Sequence, residues 1–237
     1  MKKGRNIMFE FKAEDLKKAR EIVSVLSLPE NFGCDEDNDF DTFPIETQIE
    51  DVVDGDFFVT NGVSKLVILV DDLPFAIKIP FNGKYEYSWE DDSTPVWCPF
   101  YYSKSSFRDW DYCGVELEYT AEIKDNGYGM FVPNMMHLCT VCGFDVFVQE
   151  KVLPLCENKK AYGATAASRK KAEECRGIFN VDWAARAIDI YGVDNFIKFC
   201  DWANDRFPDM MADMHSGNYG YRENGDPVLL DLSGFND

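Results

Sequence analysis

The run Tyr219-Gly220-Tyr221-Arg222-Glu223-Asn224-Gly225-Asp226-Pro227-Val228-Leu229-Leu230 constrains the fold more than any other part of the chain. It reads as strand, polar turn and apolar strand with Asn224-Gly225 at the tip, a strong short-range hairpin signal. A hairpin there folds Asp231 back beside Asn218. Asp213 lies five residues before Asn218 and eighteen before Asp231. One carboxylate, one amide and a second carboxylate are thereby tied to a single short element. Phosphoryl transfer from a magnesium nucleotide needs such a trio: one carboxylate orients the acceptor hydroxyl, and the amide and the other carboxylate hold the metal.

Further groups suited to that chemistry occur upstream, in order. Val63 to Val70 is a strand run, and Leu73-Pro74 leads into Phe75-Ala76-Ile77-Lys78-Ile79-Pro80. Lys78 alternates with Ile77 and Ile79, so it occupies one face of an apolar strand, where an ammonium either finds a partner or snorkels from a sheet edge. Gly114 to Ile123 reads as a helix ended by Asp125-Asn126-Gly127. On it, Glu116 has Tyr119, Thr120 and Ile123 at helical spacing and sits beside the apolar stripe; Glu118 faces Ala121, Glu122 and Asp125. Of the two, Glu116 lies nearer the apolar side. Phe144 to Val152 is another strand ending in polar residues, and Thr60-Asn61-Gly62-Val63-Ser64-Lys65 carries a glycine turn beside a hydroxyl and an ammonium. That turn can cradle phosphate through Gly62, Ser64 and Lys65, or be a hairpin tip only.

The segment Asp213-Met214-His215-Ser216-Gly217-Asn218 with Asp231 resembles the catalytic and metal-binding loops of the protein-kinase-like superfamily. Its form is closest to the bacterial and phage members and to aminoglycoside and choline kinases. Phe75-Ala76-Ile77-Lys78 is similar to the strand whose lysine pairs with nucleotide phosphates. The resemblance covers roughly residues 57–237 and implies an α+β, bilobal fold with an antiparallel-sheet N-lobe and a truncated helical C-lobe. It implies ATP and Mg2+ as cofactors and an ATP-dependent phosphotransferase acting on a protein or small-molecule hydroxyl. Asp213 would be the catalytic base or acceptor orienter, Asn218 and Asp231 the metal ligands, and Lys78 the phosphate clamp. The resemblance implies a helix glutamate as partner for Lys78, with Glu116 favoured and Glu118 as the alternative. His215 would brace the loop or approach the γ-phosphate, bracing being favoured. The backbone from Glu150 to Val152 would read the adenine edge, or Phe144 to Val152 is an ordinary strand.

The chain departs from the family pattern in several places. Met211 stands where a histidine usually precedes the catalytic aspartate, and Gly234 falls one residue late after Asp231. One glycine replaces three in the phosphate-covering loop. The sequence ends six residues beyond Asp231, before the activation segment and substrate-docking helices of protein kinases. These departures carry a competing expectation, a non-catalytic pseudokinase-type interaction protein. The truncated, acidic form is similar to kinase-like proteins of phages and prophages, which implies a host cytoplasm as the setting.

Composition permits a substantial core: 237 residues, 46% hydrophobic and 15% aromatic. The eight cysteines include only one close pair, Cys139 and Cys142, without the second pair a zinc site wants, and are expected to be reduced thiols of a cytoplasmic protein. No run is long and apolar enough for a membrane span, and no signal peptide opens the chain. The net charge of −19 disfavours nucleic acid and anionic membranes as partners. Its sharper use would be DNA mimicry to capture a DNA-binding protein; its plainer one is solubility. Ten of the 22 residues from Asp35 to Asp56 are acidic, so 1–56 is expected to be a helix (Glu14 to Leu26) followed by a solvated, mobile linker. An N-lobe over 57–153, with an aromatic insertion at 82–110, and a C-lobe over 154–237 complete the expected organisation. Helices at Ala164–Arg176, Val181–Tyr191 and Asn195–Asp205 would deliver the chain to Asp213.

Overall fold

The computed structural model describes residues 9–35, 40–62, 64–87, 95–99, 111–155, 163–206 and 216–232. Asp213, His215 and most of the aromatic insertion lie outside the described residues. The described chain is mixed α and β, with an antiparallel sheet and six helices. It divides into two compact units, one built on 9–84 with 134–150, the other on 111–133 with 151–232.

The first unit carries five antiparallel strands: β1 (Phe57–Asn61), β2 (Lys65–Val70), β3 (Phe75–Pro80), β6 (Met135–Val141) and β7 (Phe144–Glu150), in the order β1-β2-β3-β7-β6. Between them in sequence, β4 (Gly83–Tyr87) pairs with β5 (Pro95–Pro99). Period-2 alternation sorts the sheet's side chains onto two faces. Leu66, Ile68, Val70, Ile77, Ile79, Val146 and Val148 enter the core, and helix α1 (Ala13–Ser24) covers it with Ala19, Ile22 and Val23. Lys78, opposite Val67 on β2 and Phe147 on β7, belongs to the other face. β6 and β7 join through Cys142 and Gly143, at φ 51° and 83°, with Val141 paired to Phe144. Two successive left-handed residues make the turn whose twist matches a hairpin, which is why a non-glycine tolerates that conformation there. The Cys139–Cys142 pair is thus part of a hairpin, and the Cys142 thiol donates to the Leu26 carbonyl at 3.4 Å.

The acidic segment does not behave as the expected solvated linker. Within it, helix α2 (Phe43–Ile49) forms, and Ile45 and Ile49 are 3% and 0% exposed in the first core. The Asp41 carboxylate accepts from the Phe43 amide, and the Thr42 hydroxyl donates to Glu46. Phe40 packs its ring against Phe32 and Phe81. A one-turn apolar pair four residues apart is enough to dock a short helix, and charge density conceals it.

The second unit holds α3 (Tyr112–Asp125), α4 (Ala166–Cys175), α5 (Val181–Tyr191) and α6 (Val193–Arg206), with β8 (Leu153–Pro154), β9 (Tyr219–Tyr221) and β10 (Pro227–Leu229) in the order β10-β9-β8. Its core gathers Trp183, Phe179, Phe196 and Phe199, and Phe131 stacks on Phe199 at 4.2 Å. Helix α3, capped by the Asp111 carboxylate on the Gly114 amide, packs Val115, Tyr119 and Ile123 into this core. It therefore groups with the second unit, although the sequence placed it within 57–153. Helix α5 spans the expected residues: the Asn180 side chain caps its start, and Gly192 at φ 88° ends it. Among the described residues no helix is long and apolar enough to cross a membrane.

Candidate active site

The hairpin over 219–230 forms as the sequence dictates. Tyr219 pairs with Leu229, Gly220 with Val228 and Tyr221 with Pro227. At the tip, the Gly225 amide donates to the Arg222 carbonyl, and the Asn224 side chain accepts from the Asp226 amide. At the open end, the Leu230 amide donates to the Asn218 carbonyl at 2.8 Å. Asn218 thus stands opposite Leu230, with Asp231 the next residue along the chain. Asn218 ends a 3-10 turn, Ser216–Asn218, and is 2% exposed. Asp231 has φ 49°. Unlike Cys142 it is not in a two-residue hairpin turn, so its left-handed backbone is a local strain that the surrounding structure must hold.

Helix α5 grips this hairpin. The Trp183 indole N–H donates to the Val228 carbonyl at 3.0 Å, Arg186 to the Gly225 carbonyl at 3.1 Å and the Tyr191 hydroxyl to the Pro227 carbonyl at 2.9 Å. The Arg222 guanidinium reaches the carbonyls of Met130 and Val132. The Asn180 amide, at the start of α5, donates to the Tyr219 hydroxyl at 3.0 Å. Burial pushes the Tyr219 phenol up, and burial with the nearby Asp182 charge pushes Tyr221 up to about 12. These gripping residues were not singled out in the sequence. The signal available was a helix whose apolar face also carries Trp, Arg and Tyr.

Gly220 shows how tightly the hairpin is held from its other side. A Cβ there would lie 3.1 Å from Leu230 Cδ1 and 3.2 Å from both the Leu153 carbonyl oxygen and Val152 Cγ2. Gly220→Ala is expected to destabilise by about 1–3 kcal/mol through overpacking. The measurement is the urea midpoint at unchanged m value; an unchanged midpoint would show that strand β8 yields without cost.

The remaining candidates fall into two groups. In the second unit, Glu116 is fully buried and Glu118 is exposed, as the apolar stripe required. Val152 immediately precedes β8 and packs toward the hairpin. In the first unit, Lys78 is 7% exposed and shares its sheet face with Lys65, Ala76, Phe147 and Gln149. Lys65 and Ser64 are buried too. Gly62 and Ser64 lie in the β1–β2 connection, and the Gly62 amide is committed to its closure through the Lys65 carbonyl at 3.0 Å. The Glu150 amide donates to the Asn134 carbonyl, and the Glu150 carboxylate accepts from the Asn134 amide and side chain at 3.0 and 2.9 Å. Asp213 and His215 lie outside the described residues.

Magnesium is a hard cation that takes oxygen ligands and is bound by one or two carboxylates, with water and substrate phosphates completing its octahedron. The amide oxygen of Asn218 and the carboxylate of Asp231 are of that kind, and the hairpin brings Asp231 back near Asn218. No group of three or more His, Cys, Asp or Glu side chains that could hold a metal occurs among the described residues. Comparison with protein-family models, curated proteins and solved structures finds no match.

Proposed function

We propose that this protein is an ATP- and magnesium-dependent phosphotransferase of kinase-like, bilobal organisation, acting on a protein or small-molecule hydroxyl. The observation that carries the reading is the closure of the β9–β10 hairpin, which brings a left-handed Asp231 back near Asn218. Bound magnesium would neutralise charge on the β and γ phosphates. Asn218 and Asp231 would hold it; Lys78 is the proposed phosphate clamp and Glu116 its proposed partner. Gly62, Ser64 and Lys65 are the proposed phosphate-cradling residues, and the backbone from Glu150 to Val152 the proposed adenine reader. Asp213 orients the acceptor hydroxyl and takes its proton, and His215 braces the loop that carries Asp213. The burial of Lys78 and of Glu116 supports their roles, because a charged group out of water needs a partner.

Thermal unfolding tests the reading. With magnesium, ATP at about 100 times its Kd adds about 2.7 kcal/mol, raising the midpoint by about 5–10 °C for a chain of this size. Without magnesium the shift shrinks. Asp231→Gly removes the carboxylate and leaves a residue that accepts the left-handed backbone, so the free variant is expected to fold. It should nonetheless lose the magnesium-dependent shift. An equal shift in parent and variant would remove Asp231 from the metal site.

A further inference from the structure

The two edges of the five-stranded sheet are treated differently. Along β6 the Arg20 side chain of α1 reaches the Leu138 carbonyl, and a register shift breaks the strand between His137 and Cys139. Such coverage and bulging are how sheets keep an edge from pairing with another chain. Among the described residues, strand β1, at the opposite edge, has neither device. Its sequence is Phe-Phe-Val-Thr-Asn, without proline, lysine or bulge.

The ladder fixes which peptide groups of β1 face outward. The Asp71 amide bonds the Asp56 carbonyl, and the Gly62 amide bonds the Lys65 carbonyl. In an antiparallel pair the hydrogen-bonded residues alternate, so Phe58 and Thr60 bond inward to β2 while Phe57 and Val59 turn their peptide groups outward. Among the described residues no backbone partner is recorded on that outer side. Phe58 is 62% exposed.

The exposed charges that flank this edge are acidic, and the nearest lysine in sequence, Lys65, is buried. Asp54 and Asp56 lead into β1, and Asp71 stands opposite Asp56; all three are exposed. Among the described residues none of the three has an ion-pair partner. Neighbouring Asp72 is paired with Lys18.

We infer that β1 is a docking edge for an extended, basic segment of a partner protein, which adds to the sheet as a sixth strand. Its peptide groups bond those of Phe57 and Val59, an apolar side chain covers Phe58, and its Lys or Arg residues meet Asp54, Asp56 and Asp71. Strand addition takes affinity from main-chain bonds and specificity from alternate side chains. A second copy of this chain is disfavoured as the occupant, since two chains of charge −19 repel. This surface is independent of the proposed phosphotransfer.

The probe is a fluorescent peptide alternating lysine and valine, titrated against the full chain. It is expected to bind, whereas a glutamate–valine peptide does not. Raising salt from about 0.1 M to about 1 M shortens the screening length from about 10 Å to about 3 Å and should weaken binding about tenfold. Methylating alternate peptide amides on the pairing edge should abolish binding. Amide exchange at Phe57 and Val59 should slow on binding, while Phe58 and Thr60 change little. Phe58→Asp separates the contributions: attraction by charge alone predicts tighter binding, strand addition with apolar contact predicts weaker. Equal binding of the methylated peptide, tighter binding by Phe58→Asp, or a dimer that already protects Phe57 and Val59 would each overturn the inference.

Discussion

Asp213→Asn is expected to lower phosphotransfer by about 10²–10⁴-fold, the usual contribution of a positioned general base, while ATP affinity stays nearly unchanged. On the proposed roles Asp213 faces the acceptor hydroxyl, so its carboxylate touches neither the nucleotide nor the metal. Asp231→Asn should instead weaken both binding and transfer, because it removes charge that the metal needs to bridge the phosphates. Asparagine tolerates a left-handed backbone, so this variant keeps the conformation at φ 49° and changes only the charge. The assay follows labelled γ-phosphate into the protein itself, into lysate proteins and into small alcohols. Equal loss of nucleotide binding in the two variants would end the division of roles. Magnesium-dependent binding without transfer in the parent would favour a pseudokinase-type interaction protein.

The largest effect on stability is expected at Trp183. Its side chain is fully buried, its ring lies 5.5 Å from both Phe179 and Tyr219, and its N–H holds the Val228 carbonyl. Trp183→Ala opens a cavity and removes a hydrogen bond to the candidate hairpin, at a cost of about 3–5 kcal/mol. That is a large part of the roughly 5–15 kcal/mol that stabilises a typical domain. Trp183→Phe keeps most of the ring contact and strands only the carbonyl, costing about 1–3 kcal/mol. Urea denaturation gives both values. If the two substitutions cost the same, packing at this position contributes little and the hydrogen bond dominates.

Trp183→Phe also probes how the site is held. The same hairpin that Trp183 grips in β10 closes through Leu230 onto Asn218. Loosening it should reduce the magnesium-dependent thermal shift even where the fold survives. A variant that loses stability but keeps the full shift would separate the grip of α5 from the geometry at Asn218 and Asp231.

Much of this arrangement was legible because it is local. The hairpin follows from Asn224-Gly225 between two short strands, and α5 from an apolar period bounded by Asn180 and Gly192. Lys78 follows from alternation in β3, and the burial of Glu116 rather than Glu118 from the stripe of α3. Helix α2 was not legible: its two isoleucines are few, and the surrounding carboxylates dominate any composition window.

The amino-acid sequence by itself determined the strand and helix periods, the caps and turns, and the hairpin that brings Asp231 back near Asn218. Tertiary structure decided that α3 packs with the second unit and that α2 folds onto the first core. It also decided that α5 secures the hairpin through backbone carbonyls, and that β1 is left at the sheet's open edge. The physical reason is range. Periods, caps and tight turns are set by residues within a few positions of one another. Core membership and strand order depend on burial against segments far away in sequence, here β3 against β7 and α5 against β10, whose complementarity no local window contains.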